Sequence, residues 1–397
     1  MERPPLEMAD LIRVAGRRFI EQNRHWLTYQ HLKVLRAIER CRTATLGGHR
    51  DECPQCGYRT ISFNSCRNRH CPKCQAQARQ RWLEARRQEL LPTRYLHVVF
   101  TVPRELASLA LQNKKLFYDL LFRATAQTLQ TVAADPNHLG AEIGFFSVLH
   151  SWTQKLEFHP HIHCVVPAGG LSFDHTRWIH SHHRFFLPIQ VLRRRFRGKL
   201  VAGLKRAFSR HQLAFHGNLK LLANPKTFAA FLRPLFRQHW VVYCKPPFGG
   251  PEHVLKYLGS YTHRIAISNH CLIALDHDQV TFRWRDSAHG NKKRTLTISL
   301  TEFLRRFLLH VLPHRFVRIR HYGFLANRRR SVVLPLCLAS LTTPSMLAPA
   351  SVASRNPSPL ASWPCPHCGA RMVVVERLTA AELFLRSPPQ AVVDKAS

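Results

Sequence analysis

A run rich in cysteine, arginine and asparagine, CPQCGYRTISFNSCRNRHCPKCQ at residues 53 to 75, constrains the fold of this chain more than any other feature. The run is too polar to form an apolar core, and its two CxxC pairs are separated by 14 residues. Each CxxC turn presents two thiolates to one side of a tetrahedral ion. The spacing therefore predicts a structural zinc ribbon whose ligands are Cys53, Cys56, Cys71 and Cys74. Cys66 or His70 could substitute for a ligand or help to hold a second ion.

A further CxxC, Cys365 and Cys368, lies near the C-terminus in WPCPHCGARM and has no matching pair after it. Half a site cannot complete a tetrahedron alone. His367 or a partner chain could complete it, and a metal-free tight turn is the alternative.

The remaining composition indicates a cytoplasmic, nucleoid-associated protein. The first residues lack the apolar segment of a signal peptide, and no window approaches the length of a membrane span. In a reducing cytosol, clustered thiols more often bind metal than form disulfides. We expect no membrane partner, and the oligomeric state is left open.

The charge of the chain predicts a nucleic-acid partner. Lys and Arg total 59 against 23 acidic residues, which gives a net charge of +36. Such an excess favours binding to phosphates, although a merely basic surface is the alternative. Two sets of basic residues are predicted to contact DNA, one interleaved with the cysteines and one on a basic helix: Arg59, Arg67, Arg69 and Lys73, and Arg193, Arg194 and Arg195.

Periodicity along the chain predicts both helices and strands. Two N-terminal helices, strands at 95–103 and 144–152, and a basic helix at 190–211 follow from the spacing of apolar residues. The predicted domains are an N-terminal helical and zinc-binding domain at residues 1–90 and a larger domain with a basic helical insert at 91–331. A low-complexity linker at 332–363 and a C-terminal CxxC tail at 364–397 follow.

Three histidines alternate in FHPHIHCVVPAGG, residues 158–170, at positions 159, 161 and 163. In a strand these side chains share one face. Imidazoles two residues apart can reach one divalent ion and leave positions for oxygen ligands. An ordinary polar strand face is the alternative.

Two tyrosines, Tyr257 and Tyr261 in KYLGSY, are four residues apart and share one face of a predicted helix that starts near Pro251. Packing is the common role of such a pair. Beside a histidine-bound metal, however, a phenol could act as a nucleophile toward a phosphodiester. Two tyrosines allow two covalent bonds to DNA, one for each strand end in an exchange.

The motifs CRTATLGGH, NSCRNRHCPKC, YLHVVFTVP, HPHIHCVVPAGG and YLGSYTHRIAIS occur in this order along most of the chain. In this they resemble the HUH endonucleases, named for His-hydrophobic-His. Within that class the chain resembles the two-tyrosine transposases of the insertion sequence ninety-one type.

The resemblance implies an α+β fold in which a small antiparallel sheet flanked by helices follows a helical and zinc-ribbon-like domain. It also implies that His161 and His163 bind catalytic Mg²⁺ or Mn²⁺, with a third ligand supplied by one of His159, Gln154 and Glu157. Tyr257 would make the first cleavage and Tyr261 the second transfer, in a rolling-circle mechanism on single-stranded or hairpin DNA. Because no phosphate-loop motif is present, no nucleotide cofactor is expected.

Two other functions fit the same sequence features. A plasmid replication initiator or relaxase shares the histidine pair and the tyrosine nucleophile. A noncatalytic zinc-dependent DNA-binding regulator shares the zinc motif and the charge.

Overall fold

The structure is a computed structural model, and it describes residues 4–87, 89–182, 187–248, 259, 265–286, 289–290, 292–342 and 363–386. The helices are α1 (Met8–Gln22), α2 (Tyr29–Glu39), α3 (Pro72–Arg87), α4 (Ala107–Gln112), α5 (Lys114–Ala134), α6 (Ile189–Ser209), α7 (Pro225–Leu232), α8 (Leu300–Leu309), α9 (Asn327–Leu341) and α10 (Ala380–Arg386). The strands are β1 (Gly48–Glu52), β2 (Arg59–Phe63), β3 (Tyr95–Thr101), β4 (Phe145–Trp152), β5 (Phe158–Pro167), β6 (Gly169–Leu171), β7 (Trp178–His180), β8 (Val242–Phe248), β9 (Leu272–Asp276), β10 (Gln279–Asp286), β11 (Lys292–Ser299), β12 (Ile319–Tyr322) and β13 (Val373–Leu378).

Helices and antiparallel sheets together confirm the predicted α+β class. The predicted N-terminal helices and the predicted strands around residues 95 and 144 are present as α1, α2, β3 and β4. Among the described helices, none combines the length and the apolar character that a bilayer span requires.

The central sheet has five strands in the order β12-β4-β5-β3-β8, and every neighbouring pair is antiparallel. Successive side chains on a strand point to opposite faces. One face is apolar and packs on α6, where the rings of Phe100 and Phe196 are 5.0 Å apart. The other face carries the histidines of β5, and α3 packs on it through Trp82, whose ring is 5.7 Å from that of Phe146. The polar helix that follows the cysteine run therefore lies over the histidine face.

The N-terminal helices are not separated from the sheet by their own core. Leu11 and Phe19 of α1 belong to the same buried cluster as Phe100 of β3 and Ile162 of β5. The backbone N–H of Met8 also donates a hydrogen bond to Oδ1 of Asn269 at 3.2 Å. The predicted boundary near residue 90 therefore separates two segments of the sequence, but the hydrophobic core continues across it.

Part of the predicted linker and part of the predicted C-terminal tail have regular secondary structure. Helix α9 occupies residues 332–341, the first part of the predicted linker, because Val333, Leu334 and Cys337 bury an apolar face. The rest of that linker, 343–362, lies outside the described residues. The tail returns to the N-terminal part of the chain, where β13 pairs with β1 in a sheet of order β13-β1-β2.

Candidate functional site

Three imidazoles come together on the two adjacent strands β4 and β5. His150 is the cross-strand partner of His161, and His163 is the partner of Val148. One ring nitrogen from each of His150, His161 and His163 lies within 4.8 Å of the other two. A cluster of this size can place three nitrogen ligands on one metal ion, and an ion that takes more than three ligands keeps positions for oxygen.

Hydrogen bonds orient two of these rings. Nδ1 of His161 donates to the carbonyl oxygen of His159 at 2.7 Å, which leaves the lone pair of His161 on Nε2. Nδ1 of His163 and Nε2 of His97 are 2.7 Å apart, and the two rings stack with centroids 4.9 Å apart. Such outer hydrogen bonds hold the rings that ligate a metal in a fixed orientation.

Burial also sets the charge of the cluster. It lowers the pKa of His161 to about 4 and holds the pKa of His163 well below its ordinary value. The two rings are therefore neutral near pH 7, the form in which imidazole binds a metal. A polar strand face open to water would not have this property.

The third histidine of the cluster is not among the residues predicted for that position. Glu157 is exposed, and Gln154 is exposed in the turn between β4 and β5. His159 lies on the same strand face as His161 but lines a separate pocket with Arg104 and Arg305. Among the described residues, His150 is the one whose ring nitrogen lies with those of the pair, while a third ligand from His159, Gln154 or Glu157 stays a prediction.

The predicted nucleophiles Tyr257 and Tyr261 lie outside the described residues. Gly259, the residue midway between them, is described and lies against α3. The side chain of Arg79 donates to its carbonyl oxygen at 3.4 Å, and a Cβ added to Gly259 would meet Cδ1 of Leu83 at 3.0 Å.

The cysteines form two clusters rather than the single ribbon predicted. Cys71 and Cys74 group with Cys41 and Cys66, and the Sγ atoms of Cys41 and Cys74 are 3.5 Å apart. Cys53 and Cys56 group instead with the C-terminal pair at 365 and 368. The grouping predicted from spacing is wrong, because α3 turns the second pair toward the N-terminal helices while β1 carries the first pair away.

The two predicted auxiliary ligands have different positions. Cys66 belongs to the first cluster, with its Sγ 3.6 Å from that of Cys74. His70 does not join it: its Nε2 accepts a hydrogen bond from the backbone N–H of Leu312 at 3.1 Å. Burial lowers the pKa of His70 to about 3, which keeps this acceptor neutral.

A groove of about 1610 Å³ runs between α3, β12 and the start of α9. Its lining includes Trp82, Trp363 and one acidic residue, Glu84. Its basic lining consists of Arg67, Arg69, Arg81, Arg86, Arg318 and Arg330. Ile265, which follows Tyr261 by four residues, also lines the groove. Positive charge with interspersed indole rings suits a single nucleic-acid strand.

The basic residues predicted to contact DNA are divided by the fold. Arg67 and Arg69 line the groove, but Arg59 pairs with Glu52 at 2.9 Å. Lys73 forms an ion pair with Glu7 at 2.5 Å, and the side chains retain only 15% and 6% of their exposure. The ion pair and the low exposure of both side chains favour a structural role for Lys73, and its assignment to DNA stays a prediction.

The arginines at 193, 194 and 195 lie on α6, the helix that packs on the apolar face of the central sheet. They are therefore on the side of the sheet opposite to the histidines. Gln190 accepts a hydrogen bond from Arg193, while Arg194 and Arg195 are exposed.

Sequence reasoning missed Cys41 and His150. Cys41 stands in CRTATLGGH outside any CxxC pair, so the search by spacing passed over it. His150 stands in GFFSVLHSW, which was predicted as a strand next to the histidine motif. A histidine on the neighbouring predicted strand was a partial signal, since cross-strand partners share a face but the sequence does not give their register.

Comparison with known proteins gives these clusters a context. Residues 11–102 match a family described as "Transposase zinc-binding domain", and residues 144–332 match one described as "Putative transposase". The first match covers all four thiols of the Cys41 cluster, and the chemistry of four clustered thiols supports structural zinc there.

Two named relatives align over most of the chain. The "Putative transposase y4qJ" of Sinorhizobium fredii is 55% identical over 337 residues, which are 85% of this chain and 84% of that protein. The "Transposase for insertion sequence element IS801" of Pseudomonas savastanoi pv. phaseolicola is 30% identical over 337 residues, which are 83% of this chain and 78% of that protein. No solved structure matches the chain. From the two family matches and these relatives, the chain belongs to the insertion sequence ninety-one family of transposases.

Proposed function

We propose that this transposase nicks single-stranded DNA at the ends of its element through a 5′ phosphotyrosine intermediate and transfers the strand by a rolling-circle mechanism. Tyr257 is the nucleophile of the first cleavage and Tyr261 that of the second transfer. His150, His161 and His163 hold the catalytic ion beside them.

The observation that supports the proposal most strongly is the position of Gly259. It contacts α3, and α3 packs through Trp82 on the sheet face that carries the three imidazoles. Since consecutive Cα atoms are about 3.8 Å apart, a residue two positions away has its Cα within about 7.6 Å of that of Gly259. Gly259 stands midway between Tyr257 and Tyr261 in the sequence, so its contact with α3 supports the proposal that these tyrosines act at the histidine face.

The donor set fits a divalent ion. Three imidazoles suit Mn²⁺ better than Mg²⁺, which prefers a shell of oxygen ligands. When bound, the ion would polarise the scissile phosphate. Burial keeps the rings of His161 and His163 neutral, and the carbonyl of His159 fixes the orientation of the His161 ring.

The tyrosines supply the covalent step. A free phenol has a pKa of about 10, and nearby positive charge favours the phenolate form of such a group in general. As the phenol proton passes to water, the phenolic oxygen bonds to phosphorus, the P–O3′ bond breaks, and the 3′ oxygen leaves and takes up a proton. The phosphotyrosine retains the energy of the phosphodiester, so a 3′ hydroxyl of another strand end can reverse the step without ATP.

The arginine-lined groove is the proposed path of the DNA strand. Arg67 and Arg81 are exposed on its wall and would contact phosphates, while Trp82 offers a ring for stacking. Ile265, four residues after Tyr261 in the sequence, lines the same groove. A strand that follows the groove would pass the helix that contacts Gly259.

The test is a cleavage assay on labelled single-stranded element ends with Mn²⁺, in which a covalent protein–DNA adduct is resolved on a denaturing gel. Wild-type protein is expected to form the adduct. The single variants Tyr257→Phe and Tyr261→Phe are each expected to keep one of the two transfers, and the double variant is expected to form no adduct. Full adduct in the double variant would overturn the nucleophile assignment.

Tyr243 provides the matched control. It lies on β8 opposite Val99, which is itself the partner of His163, so its side chain is on the histidine face and is 49% exposed. Tyr243→Phe is expected to leave the adduct unchanged. Loss of the adduct in this variant would place the nucleophile on the sheet itself.

A further inference from the structure

The second cysteine cluster joins the two ends of the chain. Cys53 and Cys56 follow β1, and Cys365 and Cys368 precede β13. The Sγ atoms of Cys53 and Cys368 are 3.4 Å apart, and those of Cys56 and Cys365 are 3.6 Å apart. All four sulfur atoms lie within 4.8 Å of one another.

The two halves of this cluster have the same sequence pattern and the same turn conformation. Both read Cys-Pro-x-Cys-Gly, at 53–57 and at 365–369. In each, the glycine N–H donates to the carbonyl oxygen of the first cysteine at 2.9 Å, and the glycine has a φ of 70° or 75°. Glycine adopts this left-handed conformation without steric cost, and the turn directs both thiols of a pair to one side.

A ring contact and a pair of strands hold the two turns opposite each other. The rings of Tyr58 and His367 stack with centroids 4.4 Å apart. Beyond the turns, β13 pairs with β1 over the register Glu52 with Val373 to Gly48 with Leu378. The thiols therefore meet at the end of a paired ribbon rather than by a chance approach of two loops.

The distances fit a metal ion. A tetrahedral zinc ion with bonds of about 2.3 Å to sulfur separates its ligand atoms by about 3.8 Å, whereas a disulfide requires about 2.05 Å. All four cysteines are free thiols in the structure. Four thiols from two such turns complete the tetrahedron that either CxxC alone leaves half empty.

We propose that Cys53, Cys56, Cys365 and Cys368 bind a second structural zinc ion, independent of the Cys41 cluster, which fastens residues 363–386 to the N-terminal hairpin β1–β2. The C-terminal pair lies beyond both ranges that match family models. The zinc-binding part of the protein is then discontinuous in sequence, and a chain that ends before Cys365 has only half of this site.

The test is the number of zinc ions bound per chain, measured by native mass spectrometry of the full-length protein. We expect two ions in the wild type and one in the double variant Cys365→Ser/Cys368→Ser. The control variant Cys244→Ser/Cys271→Ser changes two cysteines outside both clusters and is expected to retain two. Three results would each overturn the proposal. They are one zinc ion in the wild type, two zinc ions in the Cys365→Ser/Cys368→Ser variant, and a wild-type mass that is lower by the hydrogens lost on forming two disulfide bonds.

A second measurement avoids dependence on the folding of the variant. Hydrogen exchange of the wild type is followed at residues 373–378 of β13 and at 161–166 of β5 before and after zinc is removed by a chelator. We expect the backbone amides of β13 to lose their protection from exchange on chelation, and those of β5 to lose less protection. Protection of β13 that survives complete removal of zinc would contradict a fastening role for the ion.

Discussion

His150 on β4 lies directly opposite His161 on β5, and the centroids of the two rings are 5.6 Å apart. With His163 two residues farther along β5, this pair makes a three-histidine cluster at the centre of the sheet, in which His150 is buried and the other two rings are half-buried. The consequences for metal binding, DNA binding and stability can be tested separately.

Replacing His150 by alanine should weaken Mn²⁺ binding as much as replacing His161. Loss of outer-shell partners alone typically costs 10–100-fold in metal affinity, so loss of a ligand should cost about 100-fold or more. Titration calorimetry with Mn²⁺ measures the effect. His159→Ala is the matched control on the same strand face and should change the affinity little. Equal affinity in His150→Ala and the wild type would remove His150 from the site.

The groove arginines should set the salt dependence of DNA binding. Each phosphate contact to a single strand contributes about 0.7 to the slope of log affinity against log salt, so Arg67→Ala/Arg81→Ala should reduce the slope by about 1.4. Fluorescence anisotropy with a labelled oligonucleotide at several salt concentrations gives the slope. Arg194→Ala/Arg195→Ala on the opposite face should have a smaller effect. An equal or larger effect there would place the DNA on α6.

Lys73 should matter for stability and not for DNA. Its removal leaves the carboxylate of Glu7 buried without this ion pair, and breaking a buried pair costs about 3 kcal/mol. Lys73→Ala should lower the urea midpoint and leave the DNA affinity of the folded protein unchanged. Arg81→Ala should show the reverse pattern. A weaker affinity with an unchanged midpoint in Lys73→Ala would support the DNA assignment.

Buried His310 should make stability depend on pH. Its ring bonds to the carbonyl of Leu156 at 3.0 Å and to the hydroxyl of Ser151 at 3.2 Å, and burial lowers its pKa from 6.5 to about 3. Its stabilising contribution is fully present above pH 6.5 and is lost as the pH falls toward 3, because the unfolded chain binds the proton first. At about pH 5 the loss from this group is about 2 kcal/mol.

The check compares urea midpoints at about pH 7.5 and about pH 5 for the wild type and His310→Gln. Other titrating groups act on both proteins, so the difference between the two pH responses isolates His310. The variant should lose less stability than the wild type between the two pH values. An equal loss would show that His310 does not resist protonation in the folded state.

The histidine motif illustrates what sequence can predict here. The alternation of His159, His161 and His163 predicts a shared strand face, because side chains in a strand repeat every two residues. The partner on β4 could not be obtained in this way. Trp152 pairs with Phe158, but His150 pairs with His161, since the register shifts by one residue between them. That shift turns His150 onto the histidine face, and turn length alone does not predict it.

The cysteines show the same limit for a different reason. Their spacing correctly identified CxxC turns but not which turns meet, because Cys53 and Cys368 are brought within 3.4 Å only by the pairing of β1 with β13. A contact between the two ends of a chain depends on tertiary structure, and local pattern carries no information about it. The transposase family, in contrast, followed from short motifs in order, and the comparisons confirm it.

The most direct measurement is mass spectrometric localisation of the DNA adduct. Wild-type protein is incubated with Mn²⁺ and single-stranded element ends, the DNA is digested, and the modified peptide is sequenced. The proposed mechanism predicts a nucleotide joined through its 5′ phosphate to Tyr257 or Tyr261. An adduct on Tyr243 or another residue, a link through a 3′ phosphate, or cleavage with no protein-bound nucleotide would contradict it.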